Sequence, residues 1–383
     1  MKAQLSMHRT RGFSLVELMV SMAIALVVTL AIFSVLSASE GRKRSTTSVN
    51  DINQTGAYVS LVLDKTLRSA GSGFAQRWRE AFGCRLNATR SGTGILPRVS
   101  PLPTPFGSVS GLFRLAPVVI AKGQSTAGSD VLIVMAGSSG FSESPLRVMP
   151  GSVTSDTLRL DNTLGLNASD LVLIAENGRG CQLEEVNTPF TGSNDQQLPF
   201  GGTYYTTTGA DGSLTAYATG GSAFAIPIGS STSNPPQFAL YGVGANNTLF
   251  SYDILRTGGG DGVVPMADGV VELRALYGID SDADGKLDTW ADPGTGDYAA
   301  ASLLDGSLAA GARLRNIVAI RVAMILRTSL SERGDPVAQP ALTLFQDMDP
   351  ALQQTRTLTA AERQFRHRVV ETTIPLRNIL MLP

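Results

Sequence analysis

The sequence predicts an α+β protein in which one long N-terminal helix packs on a mainly antiparallel β-sheet domain. Three observations support this fold class. Residues 18–39 carry no charge, and an apolar repeat at spacings near three and four follows them. From about residue 110 the chain turns to short β-type runs separated by polar segments. A helix with one apolar stripe is expected to bury that stripe against a sheet.

The uncharged stretch is long enough to cross a membrane. Its helical length is about 33 Å, and the hydrocarbon core of a bilayer is about 30 Å thick. Lys2, Arg9 and Arg11 precede it, and basic residues favour the cytoplasmic side. We therefore expect residues 1–12 to be cytoplasmic and residues 13–39 to form a transmembrane helix, with the following residues outside the inner membrane.

Glu17 distinguishes this segment from an ordinary anchor. An ionisable side chain at the start of a membrane span is costly, so a functional partner for it is expected. A plain anchor explains the length of the span but not Glu17. A secretory signal peptide has a shorter apolar region with a small-residue cleavage site, whereas this region runs directly into the charged residues 40–44.

Residues 40–72 are expected to continue the helix in amphipathic form. Gly56 interrupts the segment at modest cost, and Gly71-Ser72-Gly73 is a plausible end. The apolar stripe should pack on a β-rich periplasmic domain formed by residues 73–383. Its members are Val49, Ile52, Val59, Val62 or Leu63, Leu67 and Ala70.

The β-rich part contains runs typical of buried strands, joined by turns. Residues 186–235 are rich in Gly, Ser, Thr and Pro and are predicted to form a long surface loop region. Residues 242–247 suit a hairpin turn. The predicted strands are 117–120, 130–135, 170–175, 238–241, 249–255, 269–277, 317–327 and 369–376.

Composition argues against nucleic-acid binding and offers no catalytic motif. Without residues 1–12 the chain has more acidic than basic side chains, so it lacks the excess of basic residues that is typical of nucleic-acid-binding proteins. The single histidine after residue 12, His367, lies in an arginine-rich stretch and reads as a surface residue. With no nucleophile elbow, P-loop or dinucleotide fingerprint, we expect a protein that is not an enzyme.

Cys84 and Cys181 are the two cysteines of the chain. In an oxidising periplasm a cysteine pair favours a disulfide over a metal or redox site. Such a bond would close a loop of about 97 residues and stabilise the fold by several kcal/mol in the chain-entropy model.

An acidic segment predicts a Ca²⁺ site. Carboxylates at alternate positions can converge on one hard cation, and Gly285 permits the reversal that a calcium loop needs. Where that motif has a bidentate glutamate, this chain has Ala291, with Asp292 as the nearest substitute. The alternative is a solvated acidic turn without an ion. The expected ligands are Asp280, Asp282, Asp284, the Lys286 carbonyl and Asp288.

The segment Gly12-Phe13-Ser14-Leu15-Val16-Glu17-Leu18 resembles the cleavage and methylation motif of type IV prepilins. The resemblance implies that a prepilin peptidase cuts between Gly12 and Phe13 and that the new N-terminus is methylated. It also implies that Glu17 pairs with the Phe13 amine of a neighbouring subunit in a filament.

Further segments are similar to the PilW family of minor pilins. The resemblance implies a structural subunit that primes pilus assembly near the tip, with the major pilin, other minor pilins, an inner-membrane assembly platform and a large tip adhesin as partners. A J-type minor pseudopilin of type II secretion is the nearest alternative, and a membrane-anchored adhesin or hydrolase is another. The similar segments are 67–71, 82–84, 170–175 with Cys181, 277–280 and 373–378.

Overall fold

A computed structural model describes residues 12, 14–138, 144–151, 153–193, 195–209, 212–332 and 338–382. The chain divides into two compact units, Met1–Asp51 and Ile52–Pro383. The first unit contains the N-terminal part of a long helix, and the second contains the end of that helix together with the β-sheets. The predicted α+β class is confirmed.

The helices and strands are defined as follows, in chain order. The α-helices are α1 (Leu15–Ser69), α2 (Trp78–Ala81), α3 (Leu214–Thr219), α4 (Ala300–Leu303), α5 (Leu308–Arg315) and α6 (Arg377–Leu380). The strands are β1 (Leu86–Arg90), β2 (Thr93–Leu96), β3 (Val118–Ala121), β4 (Val131–Ala136), β5 (Leu146–Arg147), β6 (Thr157–Arg159), β7 (Asp170–Ala175), β8 (Cys181–Glu185), β9 (Gln197–Pro199), β10 (Phe224–Ser230), β11 (Gln237–Val243), β12 (Thr248–Asp253), β13 (Val264–Asp268), β14 (Val270–Ile279), β15 (Thr289–Ala291), β16 (Ile317–Arg327), β17 (Ala341–Leu344), β18 (Gln354–Thr357) and β19 (His367–Pro375).

Within the described residues the strands form three larger sheets and two small ones. The strand orders are β2-β1-β8-β7-β10-β5, β13-β12-β11-β4-β3 and β15-β14-β16-β19, with β17-β18 and β6-β9 as two-stranded ribbons. The strands pair antiparallel except for β1 with β8. All eight predicted strands are present, some with their ends shifted by a few residues.

The predicted apolar stripe of α1 is buried from Ile52 onward. Ile52, Val59, Leu63, Leu67 and Ala70 belong to the main hydrophobic core, and Leu63 takes the position that Val62 could have filled. Their spacing of three or four residues puts them on one helix face, so burial of that face holds the helix to the sheets.

Gly56 allows α1 to approach the four-stranded sheet closely. A Cβ atom at this position would lie 2.8 Å from Leu326 Cδ1 on β16 and 3.4 Å from Val370 Cγ2 on β19. The helix therefore gives up about 1 kcal/mol of intrinsic propensity at Gly56 relative to alanine and gains a tight contact with two strands.

Residues 186–235 do not form one surface loop, and this prediction is wrong. The region contains β9, α3 and β10, and β10 is an internal strand of the six-stranded sheet. Leu198, Tyr217 and Ala225 lie in a second hydrophobic core. Small residues and Pro227 lower the apparent strand propensity of β10 although its side chains are buried.

The Cys84–Cys181 disulfide is present in the structure, with the two Cα atoms 5.6 Å apart. Cys181 begins β8 and pairs with Leu86 of β1 in the parallel ladder, which continues with Asn87 and Gln182. The covalent link therefore fixes the place where two strands far apart in sequence meet.

Candidate functional site

The prepilin-like motif lies at the start of α1. Ser14 Oγ accepts a hydrogen bond of 3.2 Å from the backbone N–H of Glu17, so Ser14 caps the helix that begins at Leu15. Glu17 is thereby held in the first turn, where a carboxylate is favoured by the helix dipole. Serine followed three residues later by glutamate is a known capping signal, and Ser14 and Glu17 have that spacing.

Gly12 and Glu17 are both exposed in this chain, and Phe13 lies outside the described residues. A Cβ atom placed on Gly12 would have no described atom within 4 Å. Gly12 itself is therefore accessible to another molecule, as cleavage at that residue would require.

The apolar segment Leu15–Ser37 is long and apolar enough to cross a membrane, and its residues are exposed. Its hydroxyl groups bond within the helix: Ser21 Oγ to the Leu18 carbonyl at 2.9 Å and Thr29 Oγ1 to the Ala25 carbonyl at 2.7 Å. Polar side chains satisfied in this way can enter an apolar environment at reduced cost.

The acidic loop after β14 brings three of the expected calcium ligands together. One carboxylate oxygen from each of Asp280, Asp282 and Asp288 lies within 4.8 Å of the others. Asp280 is buried, whereas Asp282 and Asp288 are exposed. Gly285 has a φ of +83° and open space around a hypothetical Cβ, so glycine is needed there for the backbone conformation.

Hydrogen bonds between backbone N–H groups and aspartate side chains shape this loop. Asp280 Oδ2 accepts from Gly285 N at 2.8 Å, and Asp282 Oδ1 accepts from Asp284 N at 3.2 Å. Asp288 Oδ2 accepts from the N and Oγ of Ser281 at 2.7 and 2.6 Å. The bonds from Ser281 hold the pKa of Asp288 below its ordinary value, so this carboxyl stays ionised into mildly acidic solution.

Asp284 is directed differently from the other three carboxylates. Its Oδ2 lies 2.5 Å from Lys286 Nζ, and its Oδ1 accepts from Lys286 N at 2.8 Å. The hydrogen bond from the Lys286 side chain lowers the pKa of Asp284. Asp292, the substitute considered for the missing glutamate, forms an ion pair with Lys122 at 2.6 Å instead.

His367 is half-buried, and the prediction of a surface histidine is wrong. Burial lowers its pKa, and its Nδ1 lies 3.0 Å from the Phe365 carbonyl. The ring therefore packs as part of β19 rather than on a solvated basic face.

Two protein-family models match the chain. Residues 232–378 match PilW, described as Type IV Pilus-assembly protein W, and residues 7–33 match the Prokaryotic N-terminal methylation motif. The resemblance to a PilW-family pilin with a prepilin-type motif is confirmed. No curated protein and no solved structure matched the chain.

The PilW match covers less than half of the chain, from just before β11 to the residues of α6. It contains the acidic loop and two of the similar segments, 277–280 and 373–378, whereas residues 67–71, 82–84 and 170–175 lie outside it. The shorter match contains Gly12, Phe13 and Glu17. Together these matches support a type IV pilus-related minor pilin, a structural component of the pilus, with a membrane anchor.

Proposed function

We propose that this chain is a minor pilin that helps to prime assembly of a type IV pilus and resides at or near its tip. The observation that carries the proposal is the position of the methylation-motif match, residues 7–33, over the exposed apolar segment of α1. The PilW match in the second unit distinguishes the subunit from one that shares only the N-terminal motif.

The proposed mechanism is packing rather than catalysis. Before assembly, residues 13–39 hold the chain in the inner membrane, with its N-terminus in the cytoplasm. In the filament the same apolar surface would be buried among the helices of other subunits. Glu17 would then pair with the amine of a neighbouring Phe13, because a charge in an apolar environment needs an opposite charge close by.

This role requires several partners. A prepilin peptidase would cleave after Gly12, and an inner-membrane assembly platform would take up the processed subunit. Other minor pilins and the major pilin would contact the helix and the globular unit, and a large adhesin could sit above the tip complex. The protein would move from the inner membrane and periplasm to the cell surface as the pilus grows.

A J-type minor pseudopilin is the second candidate function, since it would share the N-terminal chemistry. The description of the matched family as a pilus-assembly protein favours the pilus. A deletion strain that lacks surface pili supports the pilus role, whereas normal pili with a defect in protein secretion would favour the pseudopilin.

Mass spectrometry of the N-terminus tests the processing step. Protein isolated from cells with an active prepilin peptidase should begin at a methylated Phe13. A Gly12→Val variant should retain residues 1–12, while the neighbouring Ser6→Val variant should be processed normally. An unprocessed N-terminus, or cleavage after residue 39, would contradict the proposal.

We also propose that the acidic loop binds Ca²⁺ through Asp280, Asp282 and Asp288. Three carboxylates with oxygens within 4.8 Å of one another repel each other, and a divalent cation with oxygen ligands would offset that repulsion. Asp284 forms an ion pair with Lys286. Asp284 would therefore have to give up that ion pair to become a fourth ligand.

A further inference from the structure

β19 is the longest edge strand in the described part of the chain. It is the last strand of the four-stranded sheet and pairs with β16 alone. The pairing runs over nine residues without a register shift. An uninterrupted edge strand presents a row of backbone groups that can pair with a strand of another chain.

The edges of the other larger sheets are protected. β13 contains Pro265, and its pairing with β12 shifts register. On β3 the outward N–H of Ile120 donates a bond of 2.6 Å to Tyr277 Oη. β2 has four residues and a register shift, while β5 and β15 have two and three residues. Short strands, prolines and bulges are the usual means by which proteins prevent pairing at an edge.

The ladder between β16 and β19 shows which backbone groups of β19 point outward. At its two ends, Thr328 N bonds the Arg366 carbonyl at 2.9 Å and Leu376 N bonds the Val318 carbonyl at 2.8 Å. Hydrogen-bonded pairs alternate along an antiparallel ladder. The even-numbered residues of β19 therefore bond β16, and the odd-numbered residues direct their N–H and C=O groups away from it.

The outward groups of Val369, Glu371 and Thr373 have no hydrogen-bond partner among the residues that the structure describes. Thr373 is exposed, and Val369 and Glu371 are partly exposed. The Glu371 side chain does not block the edge, because it bonds Arg321 Nη2 and Phe345 N, both at 2.7 Å. Three N–H groups and three C=O groups are thus available to an added strand.

The side chains beside this edge indicate what such a strand should carry. Arg368 is exposed and donates to Asn53 Oδ1, and it forms no ion pair within the described ranges. Val369 is a partly buried member of the small core beside β19. An acidic side chain opposite Arg368 and an apolar side chain beside Val369 would complement the two faces of the edge.

The direction of α1 argues against pairing of two copies of this chain. Asn53 bonds Arg368 near the start of β19, and the Ser69 carbonyl bonds Asn378 just after its end, so α1 and β19 run in the same direction. Two copies paired antiparallel through β19 would have antiparallel α1 helices. Chains anchored in one membrane through residues 13–39 present the same end of α1 to it, so they cannot adopt that arrangement.

We propose that the outer edge of β19 accepts an extended segment of a different pilus subunit as a fifth strand of this sheet. In strand addition the main-chain hydrogen bonds give affinity, and side chains at alternate positions give specificity. The identity of the partner as a pilus subunit rests on the proposed function. The edge itself is a property of this chain.

Amide exchange of the isolated full-length protein in detergent tests whether the edge is open. The N–H groups of Val369, Glu371 and Thr373 should exchange with deuterium faster than those of Val370 and Thr372, which bond β16. Slow exchange at all five amides would show that the edge is already covered, and would overturn the proposal.

Thr373→Pro and Thr373→Val form a matched pair of variants. Proline removes the outward N–H but no bond to β16, whereas valine keeps the N–H. In a deletion strain, Thr373→Val should restore surface pili as the parent gene does. Thr373→Pro, at the same level of processed protein, should leave the strain without them. Pili at the parent level with Thr373→Pro would overturn the proposal.

Photo-crosslinking in the same strain identifies the occupant. With p-benzoyl-phenylalanine in place of Thr373, mass spectrometry should map the cross-link to one short segment of another pilin subunit. The same replacement at Thr93, an exposed residue of edge strand β2, is the control and should not give that product.

The absence of a product at Thr373, the same product at Thr93, or a product between two copies of this chain would overturn the proposal. If the parent gene restores no pili, the proposed function fails, and the cross-link at Thr373 still decides whether the edge accepts a strand. If Thr373→Pro loses its cooperative urea transition, the cross-link likewise decides.

Discussion

Asn378 Nδ2 lies 3.0 Å from the carbonyl oxygen of Ser69, the last residue of α1, and 3.0 Å from that of Ala70. Carbonyl groups at a helix C-terminus have no partner within the helix, and here a side chain more than 300 residues away supplies one. Asn378 closes the segment that matches PilW. The end of the long helix is thus fixed by the C-terminal part of the globular unit.

Asn378→Ala should lower the free energy of unfolding of the globular unit by about 1–3 kcal/mol, since two part-buried carbonyls lose their donor. Urea unfolding of the full-length protein in detergent, followed by the fluorescence of Trp78 and Trp290, measures this. Asn177→Ala changes an exposed asparagine and should have an effect within about 0.5 kcal/mol. Equal midpoints for the two variants would contradict the capping role.

Gly56→Leu should destabilise the same unit by about 1–3 kcal/mol, because a side chain there would overlap Leu326 and Val370. Ala57→Leu is its matched control, since Ala57 is the next residue of α1 and is exposed. Both replacements introduce a good helix former. If they have the same urea midpoint, α1 does not need a glycine to pack on the sheet.

Replacing both Cys84 and Cys181 by serine should lower the free energy of unfolding by about 2–5 kcal/mol, because the disulfide restricts a long loop in the unfolded chain. The folded state should also be destabilised, because β1 and β8 pair through a ladder of two residue pairs. Urea midpoints measured with and without reductant provide the check. Reductant should reproduce the loss in the parent protein and leave the double variant unchanged.

Long apolar strands were predictable because an uninterrupted run of apolar residues indicates a buried strand. β7 and β16 have the predicted bounds, and each is mainly buried. β8 was missed because it carries Gln182, Glu184 and Glu185, which read as a polar surface segment. Its side chains are all buried; Glu185 accepts from Tyr204 N and Ser231 Oγ at 2.9 and 2.6 Å.

The candidate sites also depend in part on contacts that the sequence pattern does not show. Alternation of aspartates predicted that carboxylates would converge after β14, and three of them do. The turn of Asp284 toward Lys286 depends on a local ion pair that alternation does not encode. The bridge between Arg85 and Arg114 joins residues that are 29 positions apart, so the spacing of residues in the sequence gave no signal for it.

Glu184 should make stability fall as the pH rises through neutrality. It is fully buried, accepts from Thr206 N at 3.1 Å, and burial raises its pKa to about 8. Between the ordinary glutamate pKa and about 8 the folded chain keeps a proton that the unfolded chain has lost. The free energy of unfolding should then decrease by up to about 1.4 kcal/mol per pH unit, and level off above that range.

Urea midpoints of the parent protein and Glu184→Gln between pH 5 and 9 test this dependence. The variant should be the more stable protein at pH 8, because its neutral amide avoids a buried charge. It should also lack the decline that Glu184 causes. Parallel pH profiles for the two proteins would show that Glu184 ionises without cost to the fold.

Addition of Ca²⁺ should raise the melting temperature of the full-length protein in detergent, since an ion that binds the folded state alone stabilises it. Asp282→Asn and Asp288→Asn should each reduce this rise, because each removes one of three converging carboxylates. Asp297→Asn is the control: Asp297 is an exposed carboxylate paired with Arg313 at 3.0 Å, outside the acidic loop.

Asp284→Asn distinguishes two coordination schemes for the same loop. If Asp284 remains with Lys286, the variant should keep most of the Ca²⁺ response. If the ion recruits Asp284, the variant should lose the response as Asp282→Asn does, and Lys286→Met should strengthen binding by releasing the carboxylate. Mg²⁺ should give a smaller rise in either case, since it requires a tighter octahedral ligand set. No rise with Ca²⁺ in the parent protein would leave the loop as a solvated acidic turn.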